Sequence, residues 1–219
     1  MADMFPAGML RCHPHDVLPM TAIHIDTSRL IIRSPVQDDA GAINAAIHAS
    51  APELRAWMPW ADPLPTLDQT ASNLAEAIAQ TAADKDYRLL LTTRDSVLVG
   101  SSGIHGVDWR IPSGEIGYWL DTRHTGHGYA REAAAAIAAF ARSVMGLRRI
   151  QIVVADATAR SWRIAEQLGF PLEGVLREHR INPGGRRDHT RIYASIDPMA
   201  TGQEPWVGLH RRAMAPASA

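Results

Sequence analysis

An α/β fold with a sheet of mixed strand direction is what this sequence predicts, on three observations. The stretch Glu115–Leu120 reads as a strand, and a glycine-containing link follows it. From Tyr129 the apolar period becomes helical, and Arg149–Ala155 is strand-like again. Tyr87–Thr93 and Val97–Val107 flank Arg94-Asp95 as a hairpin, and runs near Phe170–Arg177 and His189–Ile196 flank Pro183-Gly-Gly185. Strand–helix–strand units give parallel neighbours and hairpins give antiparallel ones, so both belong to one sheet.

The elements follow in order. Ser28–Arg33 is a short strand closed by Pro35. Asp38 and Asp39 open a helix carrying Ala42, Ile43, Ala46 and Ile47, which Pro52 stops near Ser50. Glu53–Leu67 holds Trp57, Pro59, Trp60, Pro63 and Pro65, a structured loop or broken helix. Thr66 or Asp68 caps the next helix, whose buried stripe is Leu74, Ala77, Ile78 and Thr81. After the hairpin, Pro112-Ser-Gly114 turns into Glu115–Leu120. The long helix carries Ala130, Ala133, Ile137 and Val144 on one stripe, with Gly146 at its end. A further helix over about Thr158–Leu168 turns Trp162, Ala165 and Leu168 inward, and Gly169 ends it.

The composition bounds the function. The chain has 219 residues, 46% of them apolar, and a formal net charge of −1, which fits one globular domain. Near-neutral charge leaves no footprint for nucleic acid, and no apolar run approaches the ~20 residues that span a bilayer. The lone Cys12 excludes an internal disulfide and suits a reducing, cytoplasmic setting. Residues 1–26 read as a leader, with Met20 an alternative start, residues 27–197 as the folded domain and 198–219 as a tail. No metal-ligand cluster stands out.

The link Arg123-His-Thr-Gly126-His-Gly128 is the stretch that carries chemistry. A glycine-containing turn opening a helix presents unpaired backbone N–H groups at the positive end of the helix dipole, a geometry that holds phosphate. A Walker loop is excluded because no lysine follows the glycines. The dinucleotide fingerprint fails because its third glycine falls on Arg131 and too little chain remains for a second half-sheet.

Arg123-x-x-Gly126-x-Gly128 resembles the pyrophosphate loop of the GCN5-related N-acetyltransferases (GNAT). Glu115-Ile-Gly-Tyr-Trp-Leu120, Ser161 with Ala165-Glu-Gln-Leu-Gly-Phe170, Leu172-Glu-Gly-Val-Leu176 and Trp57-Met-Pro-Trp60 are similar to the branch that acetylates ribosomal-protein N-termini, the RimJ/RimL-like branch. The resemblance covers roughly residues 27–197. It implies a mixed, mostly antiparallel central sheet splayed beside the loop-bearing strand and flanked by helices. It also implies acetyl-CoA as co-substrate, with direct attack by a primary amine and no acyl-enzyme. The first acceptor to expect is a protein N-terminal α-amine. A small amine (aminoglycoside, polyamine or amino acid) and a non-catalytic acyl-CoA sensor remain as alternatives, and a homodimer stays open.

For coenzyme A the expected contacts are backbone groups of Trp119, Leu120 and Asp121 along the pantetheine. Those of Arg123, Gly126, His127, Gly128, Tyr129 and Ala130 are expected around the pyrophosphate. Arg131 or Arg163 is a candidate for the 3′-phosphate. Glu115 is the favoured base, through a water, since burial beside Trp119 would raise its pKa. His105 is the other, because imidazole titrates near neutrality unaided. By resemblance Ser161 lies near the CoA sulfur as the acid, while Phe170 stands where other members offer tyrosine. Thr158 replaces the usual pantetheine-binding Asn, and Arg180 falls near the Glu proposed as base in close members. Trp57 and Trp60, with Trp109, are expected to line the acceptor pocket.

Overall fold

The computed structural model describes residues 22–196. Eight strands form one sheet: β1 (His24–Asp26), β2 (Leu30–Arg33), β3 (Tyr87–Thr93), β4 (Leu98–Asp108), β5 (Ser113–Leu120), β6 (Arg149–Ala155), β7 (Leu172–Ile181) and β8 (Arg187–Ser195). Their order across the sheet is β1-β2-β3-β4-β5-β6-β8-β7. Every neighbouring pair is antiparallel except β5 and β6. The expected mixed, mostly antiparallel sheet is therefore present. The parallel pairing is short: Ser113, Gly114 and Glu115 meet Arg149, Ile150 and Gln151, and beyond them β5 and β6 diverge.

Alternation along the strands sends side chains to two layers of helix. Leu89, Leu91, Ile104, Ile116 and Ile152 pack on the face covered by α4 (Tyr129–Ser143). That helix lays Ala133, Ala134, Ala138 and Ala141 on the sheet, and such small residues bring its axis close. Leu90 turns to the other face, where α1 (Ala40–Ala49), α2 (Ala51–Trp57) and α3 (Leu67–Ala82) bury Ile43, Ile47, Leu54 and Leu74. Thr66 is the cap of α3: its hydroxyl accepts from the Gln69 N–H at 3.2 Å while the Gln69 side chain accepts from the Thr66 N–H at 2.8 Å. The short α5 (Ala159–Gln167) follows β6.

The structure departs from the sequence expectation in three places. His24–Asp26, on the leader side of the expected boundary, pairs with β2 and brings buried Ile23 and Ile25 into the core. Residues 1–21 of the supposed leader, Cys12 among them, and the tail 198–219 lie outside the described residues. Pro52 does stand where α1 ends, but it sits in the first turn of α2, where its missing N–H has no helical partner to lose. β7 runs on to Ile181 because it pairs with β8 alone and needs no core-facing pattern; most of it is exposed.

Candidate active site

β5 runs from the sheet into the glycine link. Asp121, fully buried, accepts from the Arg123 N–H at 3.0 Å and also holds the Arg123 guanidinium, which keeps its carboxyl below the ordinary range despite the burial. The chain then makes a 3₁₀ turn over Thr122–His124. Gly126 and Gly128 take positive φ, +81° and +78°, which residues with a Cβ adopt only at a cost. The N–H groups of Gly126, His127, Gly128, Tyr129 and Ala130 make no hydrogen bond among the described residues, and the first helical bond of α4 runs from Glu132 N–H to Gly128 O. Five consecutive unpaired donors thus stand at the dipole's positive end.

This loop is braced from the β1–β2 turn. Glu132 Oε1 accepts from the Thr27 hydroxyl at 2.6 Å, the Ser28 hydroxyl at 3.0 Å and the Arg29 N–H at 2.9 Å. Its Oε2 accepts from Arg29 Nε at 2.7 Å. The same guanidinium donates to His127 O at 2.7 Å and lies 5.0 Å from the Tyr129 ring centroid. Nothing in the spacing announces this brace, since its partners are about a hundred residues apart.

Beside the loop is the gap between β5 and β6. The Asp121 N–H donates to Val99 O, and Gly117 O accepts from the Ser102 hydroxyl. Hydrogen-bonded pairs alternate along antiparallel strands, so Asp121, Trp119 and Gly117 direct their backbone groups at β4. The backbone groups of Tyr118 and Leu120 then point into the gap, where β6 no longer reaches them. At its far side the Tyr118 hydroxyl donates to the Ser161 carbonyl at 2.9 Å and accepts from the Ser161 hydroxyl at 3.3 Å. Burial pushes the Tyr118 pKa up to about 12, with the Ser161 bond opposing, so the phenol keeps its proton at neutral pH. The Thr158 hydroxyl, just before α5, donates to Ala155 O at 2.6 Å and keeps its lone pairs.

On the α1–α3 face lies a pocket of about 460 Å³ with Ile47, Met58, Trp60, Leu74 and Trp119 among its walls. Trp60 and Trp119 meet with ring centroids 6.2 Å apart. His105 and Glu115 are direct cross-strand partners, so their side chains share this face. His105 also lines the pocket. Both Asp86 oxygens lie 3.0 Å from His105 Nδ1. A carboxylate only accepts, so Nδ1 carries a hydrogen, and in the neutral form of the ring the lone pair lies on Nε2. Gly117 makes room for the ring: a Cβ there would stand 3.2 Å from its Cδ2. Glu115 sits behind, with Gln151 Nε2 3.3 Å away. Burial raises the Glu115 pKa, while the Gln151 bond and the nearby charges of His105 and Arg180 oppose that rise.

A model of the acetyltransferase (GNAT) domain matches residues 29–171. The chain belongs to the GNAT acetyltransferase family. It is accordingly an acetyl-CoA-dependent N-acetyltransferase. Over 175 residues it is 29% identical to the uncharacterized N-acetyltransferase YoaA of Bacillus subtilis (strain 168), spanning 80% of this chain and 97% of that one. It is 29% identical over 109 residues to a ribosomal-protein-serine acetyltransferase of Escherichia coli (strain K12), half of this chain and 60% of that one. RimL, the ribosomal L7/L12 alpha-N-protein acetyltransferase solved with coenzyme A, shares the fold at a TM-score of 0.74 and 19% identity, over 79% and 97% of the two chains. The RimJ/RimL-like resemblance is in keeping with these relatives.

Within this acetyltransferase the expected site residues separate into two groups. Gly126, His127, Gly128, Tyr129, Ala130 and Leu120 present unpaired backbone groups to one cleft, with Ser161 and Thr158 at its α5 end. Trp60, Trp119 and His105 face the pocket. Arg123 departs from expectation because Asp121 takes its N–H, and the backbone groups of Trp119 and Asp121 serve the sheet. Trp57, 40% exposed, does not line the pocket. Trp109 packs against the α4-side core and donates to Asp84 O at 2.8 Å. Arg163 stacks on Trp162. Sequence reasoning missed Tyr118, Asp86 and Arg29. Tyr118 had a signal, being two residues from Leu120 on the strand that flanks the gap. No helix among the described residues is long and apolar enough to cross a membrane, and they hold no cluster of metal-ligating side chains.

Proposed function

We propose that this acetyltransferase acts on a protein N-terminal α-amine in the cytoplasm, with coenzyme A seated in the β5–β6 gap and the amine in the pocket across β5. The observation that carries this reading is the strand itself. β5 offers the Tyr118 and Leu120 backbone groups, continued by five loop N–H donors, along its gap edge, and Trp119 on the face that it shares with His105 of neighbouring β4. The relatives that act on ribosomal proteins support the acceptor class.

Bound acetyl-CoA supplies a thioester carbon open to attack by the amine. His105 Nε2 takes the proton released as nitrogen bonds to that carbon, and Asp86 steadies the imidazolium. Glu115, on the same cross-strand row, is the next site along which the proton can leave. Ser161, whose backbone carbonyl the Tyr118 hydroxyl holds, turns its own hydroxyl proton from the Tyr118 oxygen to the thiolate as the C–S bond breaks. The five loop N–H groups hold the pyrophosphate.

Calorimetry with acetyl-CoA tests the cofactor seat. At Gly126 a Cβ would meet nothing within 4 Å, so Gly126→Ala pays only for its positive φ, about 1 kcal/mol. Gly126→Trp in addition fills the space before the donors. We expect wild type to bind, the alanine variant to bind nearly as well, and the tryptophan variant to lose at least about tenfold in affinity while still folding. No binding by wild type would end the assignment. Binding without thiol release over a panel of peptide and small amines would leave a CoA-binding protein and no enzyme.

A further inference from the structure

We infer that the acceptor carries an anion, a carboxylate or phosphate, within a few bonds of the reacting amine, and that Arg88 receives it. This rests on the acetyltransfer reading above. Arg88 stands on β3 directly opposite Gly103, and its half-buried side chain lines the pocket. It has no ion pair or hydrogen bond among the described residues. The nearby Asp86 is engaged with both oxygens at His105.

The rest of the lining points the same way. Ser101 and Ser102 donate to Leu89 O and Gly117 O, and Thr70 accepts from Asn44, so these are satisfied within the protein. The polar groups left without partners are the Arg88 guanidinium, the Asn73 amide, the indole N–H groups of Trp60 and Trp119, and His105 Nε2. All but His105 Nε2 and the Asn73 carbonyl are donors. No carboxylate lines the pocket. A polyamine or aminoglycoside would meet an unpaired cation, while the Asp86 carboxylate is already engaged at His105. An anion would complete a guanidinium that faces mostly apolar walls, in the forked geometry arginine favours.

The layout also sets the spacing. On this face Arg88 and the two glycines opposite it, Gly103 and Gly117, form one cross-strand row, and His105 with Glu115 forms the next. With no side chain at either glycine, the imidazole lies over them toward the Arg88 row: a Cβ at Gly103 would stand 3.1 Å from its Cε1 and one at Gly117 3.4 Å from its Nε2. An amine at His105 therefore places Arg88 within reach of its own molecule's α-carboxylate, or of an acidic side chain one residue on.

Matched acceptors test this with thiol release as readout: Ala-Asp-Ala amide against Ala-Asn-Ala amide, and alanine against alaninamide. The first pair reports a peptide carboxylate and the second a free amino acid. We expect wild type to favour the anionic member of at least one pair by about tenfold in kcat/KM, chiefly through KM. Arg88→Met should remove that preference by losing the anionic member alone. Arg88→Lys should restore part of it. Melting curves and acetyl-CoA calorimetry of each variant separate lost folding or cofactor binding from lost acceptor recognition. Equal use of both members of both pairs by wild type, preference for the neutral members, or equal losses on both members in Arg88→Met would overturn the inference while leaving acetyl transfer intact. A wild type that does not bind acetyl-CoA would overturn both.

Discussion

Replacing His105 with asparagine lowers kcat for amine acetylation by about 10²–10³-fold, the range a positioned general base supplies. The substitution keeps a side chain able to bond Asp86 but removes the lone pair that Asp86 leaves on Nε2. Acetyl-CoA affinity should be unchanged, because His105 lies on the pocket side of β5 and the loop donors on the other. Asp86→Asn tests the positioning partner: it leaves the ring in place but no longer fixes its tautomer, so it costs less in kcat and leaves KM unmoved. Glu115→Gln gives the opposing reading its chance. If that variant loses the larger factor while His105→Asn retains activity, the buried carboxylate is the base and the imidazole a bystander.

The second large effect belongs to the brace behind the loop. Glu132→Ala should cost about 3 kcal/mol of unfolding free energy near neutral pH, since a nearly buried carboxylate accepting four hydrogen bonds is removed. Acetyl-CoA affinity should fall with it, because Arg29 loses the partner that aims it at His127 O and Tyr129. The pH dependence has a definite sign. Burial alone would raise the Glu132 pKa, but the bonds from Thr27, Arg29 and Ser28 outweigh it and hold the value below normal. Its stabilisation is therefore complete above the unfolded carboxylate value, about pH 4.3, and is lost as pH falls through the lower folded value. Urea titrations of wild type and variant should differ most near neutrality and converge in acid. A difference that persists undiminished in acid, or a variant as stable as wild type, would show that the contacts do not hold the loop.

How much of this was written in the sequence depends on how local the physics is. The β3–β4 hairpin, β5, the glycine link and α4 announced themselves because period and turn chemistry act over a few residues. Three-residue β1 has too little pattern to be seen without β2 beside it, and exposed β7 lacks alternation to mark its end. The site divides in the same way. Positive φ at Gly126 and Gly128 is a local requirement, and the loop was found. That Asp121 would claim the Arg123 N–H depends on the turn actually taken. The meeting of His105 with Glu115 needs the β4–β5 register, and Tyr118 reaches Ser161 only because β5 and β6 part. The Glu132 brace and the Arg88 row cross between elements distant in sequence, so no spacing rule could disclose them.

The three-rung seam between β5 and β6 makes the molecule its own gauge of occupancy. Above Glu115 the sheet is a zip left open, and the amides of Tyr118 and Leu120 are its unfastened teeth. Solvent deuterium should reach those two amides readily in the empty protein, while the amides of Gly117 and Trp119, fastened to β4, stay slow. A ligand seated between the leaves would close the zip with its own polar groups. It would silence two amides in one strand and bind the two parts of the sheet into one mechanical unit.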